Sequence, residues 1–384
     1  MSERTMELSG SEVEGLLRAL VAVPSVNPRD GAGPGEAAVA GVVRDWLAAR
    51  GVAVELHEAL PGRPNVVATV PGRSPDALLL ESHLDTVEVD GMSVDPYAGE
   101  VRDGRLYGRG ACDAKGSLAA FMLAAAELAA GPPPPCTVLL AAVVDEEHRY
   151  RGVLALLNAL AGTRIAGAVV GEPTGLVPAT AHKGVLRYTV RTLGRAGHTS
   201  RPADAVNAIS LMARVLAHLD ATAPGVPDHP LLGPATRCVT RIGGGTGPNI
   251  VPGSCEVDID RRTLPGEDPY AVWLADREEL AAVLPGRVEL DAPFTVDHAL
   301  DTPAGSAVVR ALRAALAARD RDSTVRGMPF CTDASKIARA GVPSVVFGPG
   351  SIVDAHSADE SVALADVRLA ADVVADLARR MDVA

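Results

Sequence analysis

The chain is poor in several residue types, and each shortage closes a functional class. Cysteine occurs five times, at positions 112, 136, 238, 255 and 331, widely spaced and without a C-x-x-C pair. Neither a disulfide framework nor a structural zinc knuckle is therefore expected. Aromatics are scarce, with four Phe, five Tyr and two Trp, and 36 basic side chains face 48 acidic ones for a net charge of -12. That balance opposes phosphate-backbone binding and leaves few rings for base stacking, so nucleic acid is not an expected partner. No apolar run approaches the roughly 18 to 20 residues needed to span a bilayer, and no membrane anchor is expected. Residues 1–7, Met-Ser-Glu-Arg-Thr-Met-Glu, lack the basic start and apolar stretch of a secretory signal; the expected location is the cytoplasm. Lysine stands only at 115, 183 and 336, which beside so much alanine reflects genome composition and carries little functional weight. A G-x-S-x-G elbow is missing, and the glycine-rich segments at 108–116 and 243–247 have neither G-x-G-x-x-G nor P-loop spacing, which argues against a serine hydrolase or a nucleotide site.

What is present is a globular composition, 47% hydrophobic and 22% charged over 384 residues, a length that favours two domains. Ser11 to Glu14 has capping-box spacing before an apolar-periodic stretch, and 36–50 repeats the helical period before Gly51. Brief apolar runs at 65–70 and 77–80 read as strands buried on both faces, and 115–130 reads as a helix ended by Gly131 and four prolines. Strand 137–144 runs into Asp145-Glu146-Glu147, and strand 165–170 into Gly171-Glu172. Strands alternating with helices predict an α/β sheet. From about Val185 the texture changes: strand 185–191, helix 203–219, strands 236–242 and 255–259, helix 268–283, strand 287–290. The order β-α-β-β-α-β is the split unit of a ferredoxin-like domain. A helix at 304–319, a strand at 342–347 and a helix at 361–380 follow. The expected organisation is a larger domain in two parts, 1–183 and 294–384, with 184–293 inserted between them.

Carboxylates and histidines collect where buried strands end, the edge at which open α/β sheets bind ligands. His83 and Asp85 form a His-x-Asp pair in Ser82-His83-Leu84-Asp85-Thr86, in which one ring nitrogen could bind metal while the carboxylate fixes the tautomer; the alternative is a core histidine. Asp113 precedes the helix at Lys115, where an N-cap is the plain alternative. Glu146 and Glu147 are adjacent at a strand end, point in different directions, and so suit different roles, one on metal and one on a proton. Glu172 sits at another strand exit, and His356 follows the last strand. Two histidines and three carboxylates beside a spare glutamate suit two divalent ions sharing a bridging carboxylate, a centre suited to hydrolysis. Oxygen and imidazole donors are compatible with Zn, Co or Mn. Cys112, beside Asp113, reads as a packed thiol.

These segments resemble the dinuclear-zinc deacylases and exopeptidases, the family that includes acetylornithine deacetylase, succinyl-diaminopimelate desuccinylase, aminoacylase and glutamate carboxypeptidase. The matching stretches are SHLDT (82–86), LYGRGACDAKGSLAA (106–120), DEE (145–147), GEPT (171–174), GRAGHTSRP (194–202), the run from 243 to 268 and GPGSIVDAH (348–356). The resemblance implies a mixed-sheet, zinc-peptidase-like catalytic domain with an inserted ferredoxin-like dimerisation domain. It implies that His83 and Glu172 hold one metal, Glu147 and His356 the other, and that Asp113 bridges them. Asp85 would orient His83, and Glu146 would act as general base toward a metal-bridging water that attacks the amide. By the same resemblance His198 would donate to the oxyanion, and Asn249 and Arg262 would contact the substrate's carboxylate or carbonyl side, a structural salt bridge being the alternative for Arg262. Cofactors would be two divalent ions, zinc first, with cobalt or manganese as alternatives, and the assembly a homodimer. Around 182–184, 197–200, 330–334 and 348–351 the chain looks most like the acetylornithine deacetylases, which places N-acetyl-L-ornithine, an arginine-biosynthesis substrate class, ahead of succinyl-diaminopimelate, other N-acyl amino acids and dipeptides. A non-catalytic binding protein is the remaining alternative. Ser82 and Glu88 depart from the family's usual Gly and Pro beside the metal pocket; Glu88 could meet a cationic substrate group or stand solvated.

Overall fold

A computed structural model describes residues 10–382 apart from Asp30 and Ala32, so residues 1–7 lie outside the described residues. The chain divides into two compact units, one made of 1–180, 302–326 and 332–384, the other of 181–301 and 327–331.

The larger unit is built on a mixed sheet in the order Ala53–Leu60, Arg63–Val70, Cys136–Val143, Ser74–His83, Ile165–Val170, Ser344–Val346, continued by Ala179 opposite Val346. Its four inner strands, from Cys136–Val143 to Ser344–Val346, run parallel. Their near-continuous Val, Leu and Ala content is what burial on both faces demands. Leu78 and Leu80 pack on one side with helices Gly10–Val21, Ala37–Ala48, Lys115–Ala130, Ala307–Ala317 and Leu364–Arg380, all sharing one apolar core. Lys115–Ala130 is buried almost throughout; its alanines let neighbouring helices approach closely. Helices Arg151–Ala159 and Ala334–Arg339 pack together on the opposite side. Because the four inner strands point the same way, their carboxyl ends deliver four loops to one edge of the sheet.

The C-terminal segment differs from its sequence reading. The expected helix 361–380 begins with a short strand, Ser361–Ala363, paired antiparallel with Arg105–Tyr107, and the helix proper starts at Leu364. Ser361 and Val362 are held as strand by that pairing, a tertiary contact that helical periodicity does not reveal. The first helix begins at Gly10, so Ser11 lies inside its first turn rather than at the cap. Among the described residues no helix is long and apolar enough to cross a membrane.

In the smaller unit the strands order as Thr236–Gly244, Ser254–Thr263, Gly184–Leu193, Val288–Leu290, all antiparallel, with helices Ala208–Ala221 and Pro269–Val283 on a core around Leu186, Tyr188 and Val190. This is the ferredoxin-like arrangement. Thr295–Asp297 also pairs with Gly184–Leu193. The expected helix 203–219 instead starts at Ala208, after a 3-10 turn at Pro202–Asp204, because the Asn207 side chain accepts from the N–H groups of Ile209 and Ser210. An Asn cap inside a periodic stretch sets the true start.

Candidate metal centre

All seven residues singled out in the larger unit gather at the carboxyl edge of its sheet. His83 ends the strand Ser74–His83; Glu146 and Glu147 follow Cys136–Val143; Glu172 follows Ile165–Val170; His356 lies on the loop after Ser344–Val346. Asp113 comes from the loop before Lys115–Ala130, whose N-cap is Ala114 without a side-chain cap bond. The capping role is therefore unfilled, and Asp113 turns to the histidines instead.

The arrangement around Asp113 is two-sided. Its Oδ1 lies 3.0 Å from His83 Nε2 and its Oδ2 3.2 Å from His356 Nε2. Glu172 stands on the His83 side at 3.9 Å, and Glu147 on the His356 side at 3.0 Å. One carboxylate thus faces two separate His/Glu pairs with one oxygen each. Glu146 stands close too: atoms of His83, Glu146 and Glu172 lie within 4.8 Å of one another, as do atoms of His83, Asp113 and Glu147. What separates the adjacent glutamates is His356, to which Glu147 is bonded.

His83 is oriented differently from the sequence expectation. Its Nδ1 meets the backbone carbonyl of Asp85 at 2.9 Å, while the Asp85 carboxylate stands 3.7 Å away. A carbonyl only accepts, so Nδ1 carries the hydrogen and Nε2 is the nitrogen available to a cation. The Asp85 carboxylate instead accepts the backbone N–H groups of Glu146 and Glu147, each at 3.1 Å, and the Asn27 amide at 2.6 Å. Asp85 is therefore tied to the glutamate pair as closely as to the histidine. Asp145, in the left-handed region at φ 68, is held by Arg151, Arg63 and Asn27, and Arg63 is paired in turn with buried Glu36. Sequence reading missed this polar layer under the site, since isolated Asn and Arg residues carry no motif.

The electrostatics test whether cations fit. Burial chiefly raises the carboxyls of Glu146 and Glu172 well above the usual range, reinforced at Glu146 by Asp333 and Glu147 and at Glu172 by Asp113. Burial and Asp113 raise Glu147 as well, against the pull of His356. Burial opposes charge on the His83 ring, but Asp113, Asp85 and Glu172 outweigh it and hold its pKa well above normal. Hydrogen bonds to Asp113 and Glu147 raise His356 to about 10. Carboxylates packed this closely raise one another and both histidines, the response of a site whose negative charge calls for cations, and the donor set fits two divalent ions. At neutral pH cation binding must displace the His356 proton, so affinity should rise with pH toward about 10 and fall in acid as the raised carboxyls protonate. Calorimetry of zinc binding in buffers of different ionisation enthalpy checks this; net proton release is expected at pH 7, and buffer-independent heats would contradict it.

Ser82 is buried and its single hydroxyl hydrogen is shared between the carbonyls of Ala114 and Gly171, 3.3 and 3.2 Å away, on two ligand-bearing loops. The Glu88 side chain is exposed, and its carbonyl accepts from Arg109. Cys112 is a buried free thiol whose pKa burial pushes up, as a packed cysteine requires.

The other three candidates belong to the smaller unit. His198 is exposed; its Nδ1 accepts the Ser200 backbone N–H at 3.1 Å, which leaves Nε2 protonated and able to donate. Asn249 is exposed and gives its carbonyl to the Thr199 N–H. Arg262 is bound to Asp260 at 2.8 Å, the salt bridge weighed as the alternative.

Peptidase family M20/M25/M40 matches residues 79–380. An acetylornithine deacetylase of Photorhabdus laumondii is 31% identical over 362 residues, covering 90% of this chain and 91% of that protein. Among solved structures, aminopeptidase PepT from Bacillus cereus superposes with a TM-score of 0.80 at 21% identity, covering 97% of this chain and 99% of its own. YXEP of Bacillus subtilis, described as a dinuclear metal binding peptidase, gives 0.73 at 16% identity, covering 96% and 97%.

Proposed function

The chain belongs to peptidase family M20/M25/M40 and is a hydrolase, and from that premise we propose that it removes the acyl group from an N-acyl-L-amino acid, N-acetyl-L-ornithine first, at a centre of two zinc ions. The observation that carries this reading is Asp113, with one oxygen toward the His83/Glu172 pair and the other toward the His356/Glu147 pair. His83, Asp113 and Glu172 would hold one ion and His356, Asp113 and Glu147 the second. Two divalent ions there supply Lewis acidity for the amide carbonyl and lower the pKa of a water in the site. Glu146 takes the proton of the attacking water on its carboxylate and returns it to the leaving nitrogen. Its half-buried position suits both duties, because burial lifts a carboxylate toward a pKa at which gain and loss of a proton are both feasible. His198 supplies an Nε2–H to the oxyanion. Asn249 and Arg262 bind the carboxylate side of the substrate, Arg262 through the part of its fork that Asp260 leaves open. The protein works in the cytoplasm as a homodimer.

The likeness to acetylornithine deacetylases over most of the chain supports the substrate assignment. Kinetics on N-acetyl-L-ornithine beside N-succinyl-diaminopimelate, other N-acetyl amino acids and dipeptides test it. The highest kcat/KM is expected for acetylornithine; a clear preference for another member would move the substrate and keep the chemistry.

A further inference from the structure

Glu360 lies four residues beyond His356 and is fully buried, yet nothing in the chemistry above uses it. A buried carboxylate is costly unless its oxygens find donors, and here they do. Oε2 accepts from Arg109 Nη1 at 2.5 Å, and Oε1 accepts the backbone N–H groups of both Cys112, at 2.9 Å, and Asp113, at 3.0 Å. Arg109 is itself buried, and its Nε donates to the Glu88 carbonyl. The pairing of Ser361–Ala363 with Arg105–Tyr107 brings Glu360 to this place, and its own carbonyl accepts the Gly108 N–H at 3.0 Å. The Asp85 carboxylate does the same for the Glu146–Glu147 backbone on the other side of the centre.

The geometry points to Glu360 as a positioning residue for Asp113, fixing the Cys112–Asp113 backbone so that both Asp113 oxygens face their histidines at once. The inference rests on the dinuclear reading and deepens it. A terminal ligand can swing and still reach its ion, but a bridging carboxylate has both oxygens committed and tolerates little tilt. An ionised acceptor holds its N–H partners about twice as strongly as a neutral one. Loss of Glu360 therefore disturbs both metal sites together.

Glu360→Gln keeps the size of the side chain but turns an amide N–H2 toward either Arg109 or the two backbone N–H groups, so one set of donors always faces another donor. Glu360→Asp keeps the charge opposite Arg109, protecting the fold, but is one methylene short of reaching both sides. Zinc binding to the chelator-stripped full chain is measured by calorimetry, with the visible spectrum of the Co(II)-loaded protein and far-ultraviolet circular dichroism alongside. Expected are native dichroism, an altered cobalt spectrum and both binding steps weakened about 10- to 100-fold, with kcat rather than KM reduced at saturating metal. Wild-type affinity for two ions in a folded variant would overturn the role of Glu360 alone. A wild-type protein that binds no metal would overturn the dinuclear reading with it.

Discussion

Glu146→Gln is expected to lower kcat by about 10²- to 10⁴-fold, the range for loss of a positioned general base and equivalent to about 3 to 5 kcal/mol of barrier. Metal content and KM should stay near wild type, because the His356 bond distinguishes Glu147, not Glu146, as the ligand on that side. The substitution keeps the shape of the strand exit, and the Asp85 carboxylate contacts the backbone N–H at 146 rather than its side chain. A pH profile adds a sign. As general base the Glu146 carboxyl would have to be deprotonated to accept the water's proton, so at saturating metal kcat/KM of the wild type should rise with pH through that ionisation, and the glutamine variant should lose the acidic limb. A variant that keeps more than a tenth of wild-type kcat, with the acidic limb intact, would remove Glu146 from proton transfer.

Asp113→Asn should have the second large effect, and through metal rather than protons. Asparagine offers one oxygen and turns an N–H2 group toward the other histidine, so one side of the centre loses its acceptor outright. In the proposed centre both cations would depend on this residue, and binding of at least one should weaken by more than about 100-fold, beyond the range seen when a group that merely orients a ligand is lost. Glu147→Gln is the contrast: its hydrogen bond is to His356, and its loss should weaken a single binding step. Equal behaviour of the two variants in a zinc titration would deny Asp113 its bridging position.

Much of this centre was legible from strand ends. Val, Leu and Ala runs stop at His83, before Glu146-Glu147, before Glu172 and before the loop to His356, and parallel inner strands put such stops on one edge. The supporting layer was not legible. Glu360 sits before a segment whose periodicity reads as uninterrupted helix, and only the pairing with Arg105–Tyr107 makes its start a strand. The backbone contact from Asp85 to His83 is invisible in a His-x-Asp spacing, which suggests the carboxylate. Ala53–Leu60 escaped for another reason. Among the described residues it pairs on one side only, with Arg63–Val70, and its residues are exposed or half-buried, so it lacks an apolar run. Arg262 shows the converse, a residue whose candidate ligand role competes with an acid two positions away on its own strand.

The most direct test of the dinuclear centre is a titration of the chelator-stripped protein with zinc, following hydrolysis of N-acetyl-L-ornithine and bound metal in the same samples. The expected result is no turnover without metal and activity that rises to a plateau at two ions per chain. Full turnover of the stripped protein, or a plateau reached with one ion bound, would contradict a reaction that depends on both halves of the Asp113 site.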